Sequence, residues 1–308
     1  MKFDRLSCLP EILKKNGYNY AAYITAVEKE YSSKDSIFDS MGMDEVLGSK
    51  EIGEIIKQVS RSTWGYSDHQ TFPVIDWIIE NKAKEPFFIL FSTLDSHQPF
   101  NLVSDVINYQ EGSSPLLNTI HTTDDAFGIF WEKFKASELY ENTIVIAVAD
   151  HAVFPRSYSF AKDYFPQEAE GNGPNVYDRS LLMIYVPNSF LPDRIETYSS
   201  SIDMPPTIME ILGMGGREIF DGKSILSDRK DFPNILGMHE FGLYINQLNQ
   251  DGTRRESYSM PQELSCDLNN SYGNQQEPLS LCEYLNFYKW KRLMLEEGRL
   301  WDDNNLDE

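Results

Sequence analysis

Positive charge is scarce in this sequence: 27 Lys and Arg stand against 48 Asp and Glu, a formal net charge of -21 over 308 residues. That balance excludes nucleic acid as a partner, since binding its phosphates requires clustered Lys and Arg that displace counterions. It also means that an anionic substrate is repelled by the molecule as a whole. Such a substrate needs a local positive field, and a bound metal ion is the simplest source of one. Screening over about 8 Å at physiological salt makes that arrangement workable. Cysteine is scarce too. Cys8, Cys266 and Cys282 have no zinc-ligand spacing, although Cys266 and Cys282 could pair in an oxidising compartment and leave Cys8 free. No run reaches the roughly 20 apolar residues of a membrane helix, and the start lacks a signal-peptide pattern. Any membrane or export segment is therefore expected upstream of Met1. Walker loop, G-x-G-x-x-G, HExxH and G-x-S-x-G are all missing, and no repeat or low-complexity tract is visible.

What is present is an alternation of helices with apolar runs. The length suits one principal α/β domain, expected over residues 1–231, with a small α+β appendage over 232–308 packed on it. A short helix over Leu9–Lys15 stops at Gly17, and Tyr20–Thr25 reads as a strand. Val74–Asn81 reads as a helix broken by Pro86, and Phe87–Leu94 as a strand buried on both faces of a parallel sheet. Phe127, Phe130, Trp131 and Phe134 form the core stripe of a helix whose N-terminal end is marked by Asp124 and Asp125. Thr143–Ala149 and Leu181–Val186 are further strands, and Asp203 caps a helix with Pro205 at its start and Gly213 at its end. From about Phe232 the composition shifts to Asn, Gln and Glu, with a strand expected over Phe241–Asn246 and a late helix around Leu281–Glu297. The order predicts an α/β fold with a mostly parallel central sheet.

In such folds ligands bind beyond the carboxyl ends of the strands. Asp95-Ser96-His97 and Asp150-His151 both follow apolar strands, so one sheet edge is expected to carry both. An adjacent carboxylate and imidazole can bind one divalent cation, which makes Asp150 and His151 candidate metal ligands. His97 suits a donor to a phosphate or sulfate oxygen or a general acid, because a histidine's ordinary pKa of about 6.5 allows proton transfer near neutrality. A strand-end histidine bonded to backbone is the other reading of the same residue. Arg156 and Arg179 could clamp an anion bidentately, or serve as surface ion-pair residues. His69 and His121 read as surface or satisfied histidines, His239 in a turn before a strand as a minor candidate, and Asp203 as a cap, not a ligand.

Several blocks, taken in order, resemble the sulfatase branch of the alkaline phosphatase superfamily. Within it they are most similar to the lipoteichoic acid synthase and membrane phosphoglycerol or phosphoethanolamine transferase group. Leu9–Tyr18 (LPEILKKNGY) is similar to the family's "SLPxILKxxGY", and Phe38–Asp44 (FDSMGMD) to its "FxxxGfD". Pro86–Phe100 (PFFILFSTLDSHQPF) and Asn142–His151 (NTIVIAVADH) resemble its "SHxPF" and "NTIxxxxxDH" blocks. Leu181–Pro187, Ser201–Gly213 (SIDMPPTIMEILG) and Phe220–Leu226 (FDGKSIL) resemble three blocks that follow.

The resemblance implies an alkaline-phosphatase-like α/β sandwich. It assigns Asp150 and His151 as ligands of one divalent metal ion (Mn2+, Mg2+ or Zn2+) and His97 as the histidine that contacts the transferred phosphate. Metal-dependent transfer or hydrolysis of a phosphate ester is then the expected chemistry, through a covalent phospho-enzyme. The substrate would be an anionic phosphate or sulfate ester, with a lipid headgroup or glycan among its carriers. A place on the extracytoplasmic face of the membrane is implied, with membrane contact only through upstream segments. Sulfuric ester hydrolysis and a non-catalytic sulfatase-like binding module are the alternatives.

The family's upstream acidic ligand and its Thr nucleophile fall before Met1, where they are expected. Its pocket Trp-x-Arg falls at Ser32 and Lys34, so Lys34 keeps a positive charge there and joins His97 and Arg156 as substrate-binding candidates. The usual His-Gly reads Thr25-Ala26, and the Gly after Asp-His is Ala152.

Overall fold

The computed structural model describes residues 8–57, 64–100, 106–151, 180–189, 191–195, 199–216 and 220–227, and the strands at 234–239, 242–248 and 254–260. The described chain forms two compact units, one up to Tyr140 and the other from Glu141.

The first unit is built on β1 (Tyr20–Thr25), in which every residue is buried. A six-residue apolar segment of this kind has no solvent face, so both of its edges and both of its faces must be covered. Parallel neighbours cover the edges. β2 (Glu45–Leu47) pairs through Ala22↔Glu45 to Ile24↔Leu47, and β3 (Phe87–Ser92) through Tyr20↔Phe87 to Thr25↔Ser92.

Helices cover the faces. On one side Ile52 of α3 (Ser49–Ile56), Phe72, Val74, Ile75 and Ile78 of α4 (Asp68–Asn81), and Ala126 of α5 (Pro115–Lys135) close over Tyr20, Ala22 and Ile24. Burying each large aliphatic here stabilises the fold by about 1.5–3 kcal/mol. On the other side Ala21, Tyr23 and Met43 cluster with Phe38 of α2 (Lys34–Ser40), whose ring stacks on Tyr23 at 3.7 Å. Helix α1 (Leu9–Lys15) lies as expected, with Leu13 buried and Gly17 at positive φ just beyond its end.

Two helices start earlier than the sequence predicts. Helix α4 begins at Asp68 and runs through Pro73, because Gln70 Oε1 accepts from the Ser67 amide and fixes the first turn upstream of the proline. Helix α5 begins at Pro115, with Ser114 Oγ accepting from the Leu117 amide, so Asp124 and Asp125 fall in mid-helix. Strand β3 is also less enclosed than expected: Leu90 is exposed, while Ile89 and Phe91 pack towards α4 and α5.

In the second unit β4 (Val145–Val148) pairs antiparallel with β5 (Leu182–Tyr185), and Val148, Leu181 and Met183 are exposed. Helix α6 (Met204–Ile211) follows a single 3-10 turn, Ser201–Asp203. Asp203 does not cap α6 with its side chain. Its carboxylate accepts from the amides of Ser200 and Lys223, tying the turn before the helix to the segment after it. An antiparallel meander closes the unit: β6 (Asn234–His239), β7 (Gly242–Leu248) and β8 (Arg254–Met260). The strand expected over Phe241–Asn246 corresponds to β7. The late helix expected around Leu281–Glu297 lies outside the described residues.

Just beyond β1, Val27 bridges Gly65 in antiparallel sense, and a Cβ at Gly65 would run into the Ala26 carbonyl. Gly128, in mid-α5, has nothing within 4 Å of its Cβ position. Gly65→Ala should therefore destabilise the chain by about 1–3 kcal/mol, and Gly128→Ala should stabilise it by about 0.5–1 kcal/mol. Urea unfolding of both variants checks the opposite signs.

Candidate active site at the strand ends

The carboxyl ends of β1 and β3 carry the loops that hold His97 and Lys34. After β3 the chain turns sharply. The His97 amide donates to the Leu94 carbonyl at 2.9 Å, and the Phe100 amide to the His97 carbonyl at 3.2 Å. The imidazole is exposed, and its Nδ1 lies 2.6 Å from the Gln98 carbonyl. A carbonyl only accepts, so Nδ1 carries the proton. In the neutral ring Nε2 then holds the lone pair and acts as a base; it becomes a donor once the ring is protonated.

The indole of Trp64 packs against the His97 ring, with centroids 5.0 Å apart. Tyr31, 50% exposed, meets Trp64 edge-on at 5.5 Å. Tyr31 belongs to the loop after β1, where Ser32 and Ser33 both take positive φ before Lys34 opens α2, half-buried. Non-glycine residues in that conformation cost about 1 kcal/mol or more each and often mark functional loops. Lys29, in the same loop, is tied to Glu51 at 2.6 Å.

Two carboxylates lie at the start of the loop after β3, Asp68 and Asp95, each 0% exposed. Asp68 Oδ1 accepts from the Leu94 amide at 2.7 Å. Its Oδ2 accepts from the Thr123 hydroxyl at 2.7 Å and the Asp95 amide at 3.3 Å. In return Asp95 Oδ2 accepts from the Asp68 amide at 3.0 Å. Burial pushes the Asp68 carboxyl above its ordinary range, against the opposing pull of the Leu94 amide, the Thr123 hydroxyl, the Asp95 amide and the charge of His69.

His69 is satisfied at one ring nitrogen only: its Nε2 stands 2.8 Å from Asp125 Oδ2, while its Nδ1 is buried without a hydrogen-bond partner among the described residues. His121 lies against the Tyr109 ring. Sequence reasoning did not single out Asp68; the Ser67-x-x-Gln70 start signal around it was the available clue. Trp64 gave no local signal at all.

Asp150 and His151 follow β4 in the second unit. Their side chains are 91% and 54% exposed, and His151 Nε2 lies 3.8 Å from Asp150 Oδ1. Donors about 2.1 Å from one ion stand roughly 3–3.5 Å apart, so a small side-chain rotation lets both atoms share a cation. The residue types and spacing fit two positions of a divalent metal shell. Among the described residues no group of three or more His, Cys, Asp or Glu gathers as such a shell. His239 is the last residue of β6, paired with Gly242, and does not sit in a turn. Arg156 and Arg179 lie outside the described residues.

A model of the sulfatase family matches residues 2–214, well over half of the sequence, and the chain belongs to that family. It is 28% identical over 241 residues to lipoteichoic acid synthase-like YvgJ of Bacillus subtilis (strain 168), covering 71% of this chain and 37% of that protein. It is 24% identical over 247 residues to phosphoglycerol transferase I of Salmonella typhi, covering 77% and 30%. The chain thus spans about a third of the length of these curated relatives.

Among solved structures, lipoteichoic acid synthase LtaP of Listeria monocytogenes aligns with a TM-score of 0.61 at 23% identity, covering 83% of this chain and 68% of that one. An alkaline phosphatase superfamily protein of Vibrio parahaemolyticus gives 0.61 at 20% identity, covering 83% and 63%. These likenesses establish an alkaline-phosphatase-like α/β fold with a parallel sheet.

The His97 contact predicts a tautomer. Two-bond 1H–15N correlation spectra of the neutral ring should show Nδ1 protonated and Nε2 bare; the reverse assignment would contradict the loop geometry. Asp68 predicts a pH dependence. Burial raises this carboxyl above its ordinary value of 3.8, so its contribution to stability is complete below that value and is lost as the pH rises through the raised one. The stability difference between the native chain and Asp68→Asn should therefore shrink with rising pH over this window. A flat or growing difference in urea unfolding would refute it.

Proposed function

We propose that this chain is part of a metal-dependent enzyme domain that transfers or hydrolyses phosphate esters of the phosphoglycerol or phosphoethanolamine type, working on the extracytoplasmic face of a membrane. Family membership supports an enzyme of ester chemistry. The observation that carries the reading furthest is His97, held at the carboxyl end of β3 with Nδ1 committed to a carbonyl and Nε2 left for proton transfer.

In this reading Asp150 and His151 are two donors to one divalent ion, Mn2+, Mg2+ or Zn2+. When bound, that ion supplies the positive field that neutralises phosphoryl oxygens and lowers a nucleophile's pKa. Nε2 of neutral His97 takes the proton of an incoming alcohol or water. The protonated ring then donates to a phosphoryl oxygen or to the leaving alcohol. Lys34 and Arg156 offset the charge of the ester, which a chain of net charge -21 would otherwise repel. No residue of this chain is assigned as the nucleophile.

A second reading, a sulfatase-like module that binds an anionic group without turnover, is favoured by the two-donor set at Asp150 and His151 among the described residues. Sulfate-ester hydrolysis is the alternative within the enzyme class.

The test is titration of the full chain with Mn2+ by calorimetry and electron paramagnetic resonance, paired with turnover of aryl phosphate, aryl sulfate and glycerol phosphate esters. One specific site is expected, weakened at least ten-fold by Asp150→Ala, with phosphate esters preferred over sulfate. Metal binding without turnover of any ester would favour the binding module. Mn2+ affinity unchanged in both Asp150→Ala and His151→Ala would remove these residues from the metal site.

A further inference from the structure

The proposed chemistry leaves two fully buried carboxylates without a role, and they lie directly under the loop that carries His97. Asp68 is the first residue of α4, where a negative charge suits the helix dipole. Its side-chain oxygens, however, are used on another element. They take the consecutive amides of Leu94 and Asp95, just past the end of β3, and the Leu94 carbonyl takes the His97 amide. The Asp95 carboxylate returns a bond to the Asp68 amide, and the Thr123 hydroxyl of α5 holds Asp68 from the far side. The same chain segment delivers Trp64, whose indole packs on the His97 ring. His97 is thus braced twice from residues 64–68, once at its backbone and once at its ring.

We infer that Asp68 is a positioning residue that sets the place of the His97 imidazole through the Leu94–Asp95 peptide. The inference rests on the reading of His97 as the group that meets the ester. The chemistry of the brace explains the residue type. Two adjacent amides require two acceptor oxygens on one rigid group, which a carboxylate supplies and a hydroxyl does not. An asparagine keeps one acceptor and puts an NH2 donor where the other stood, facing the Asp95 amide and the Thr123 hydroxyl. A buried carboxylate is costly unless such bonds compensate it, so Asp68 is an expensive way to begin a helix and an effective way to dock a strand end on two helices.

The full chain tests this with Asp68→Asn, His97→Ala and the double variant, using glycerol 1-phosphate with Mn2+ as the probe. Imidazole 15N and 1H signals report the position of His97, and circular dichroism reports folding. Asp68→Asn should stay folded, displace or broaden the His97 Nδ1–H signal, and weaken probe binding about as much as His97→Ala, by roughly ten-fold. The double variant should lose no more than either single one, the mark of residues acting as one unit. Unchanged His97 signals in a folded Asp68→Asn chain, or losses that multiply in the double variant, would overturn the inference. If Asp68→Asn does not fold, Thr123→Val removes only one donor and serves instead. A smaller shift of the same His97 signals is then expected, and no shift overturns the inference. Probe binding unaffected by His97→Ala would defeat the reading of His97 itself, while the imidazole signals would still decide whether Asp68 positions it.

Discussion

Burial of β1 on both faces and both edges is the constraint from which the first unit follows. A strand with six consecutive buried residues cannot lie at a sheet edge or face water, so parallel partners flank it and helices cover it above and below. Parallel pairing in turn requires crossover connections, and these bring the chain back so that the loops after β1 and β3 leave the sheet on one side. The aromatic contacts from Tyr31 to Trp64 and from Trp64 to His97 are a direct consequence of that geometry.

Two kinds of polar group occupy that edge, and they answer to different physics. His97 and Tyr31 are exposed, and Lys34 is half-buried. Asp68 and Asp95 are fully buried, and both oxygens of Asp68 and Oδ2 of Asp95 accept from backbone amides. In a low-dielectric interior a carboxylate with hydrogen bonds rigidifies its surroundings, and one without them would break the fold. Bonded in this way, Asp68 ties the strand end that leads to His97 onto the start of α4.

The electrostatic problem set by the composition is visible in the site as well. Lys29 pairs with Glu51, the loop after β1 also holds Glu28 and Glu30, and Asp35 follows in the first turn of α2, so the side chains of that segment do not make a strongly positive surface.

Local pattern determined α1 and β1 to the residue, since a stretch with Pro10 in its first turn that is ended by Gly17 and a bounded apolar run each have one low-energy form. It also placed the Asp150-His151 and Asp95–His97 segments at strand ends, and the ordered blocks were enough to reach the family. It misjudged the starts of α4 and α5, where Pro73 and the Asp124-Asp125 pair imitate helix boundaries that caps further upstream had already set. What only the tertiary structure decided is the company His97 keeps. Tyr31, Trp64, Asp68 and Thr123 come from scattered positions and meet there through the packing of β1, β3, α4 and α5, a non-local event that no periodicity or short motif encodes.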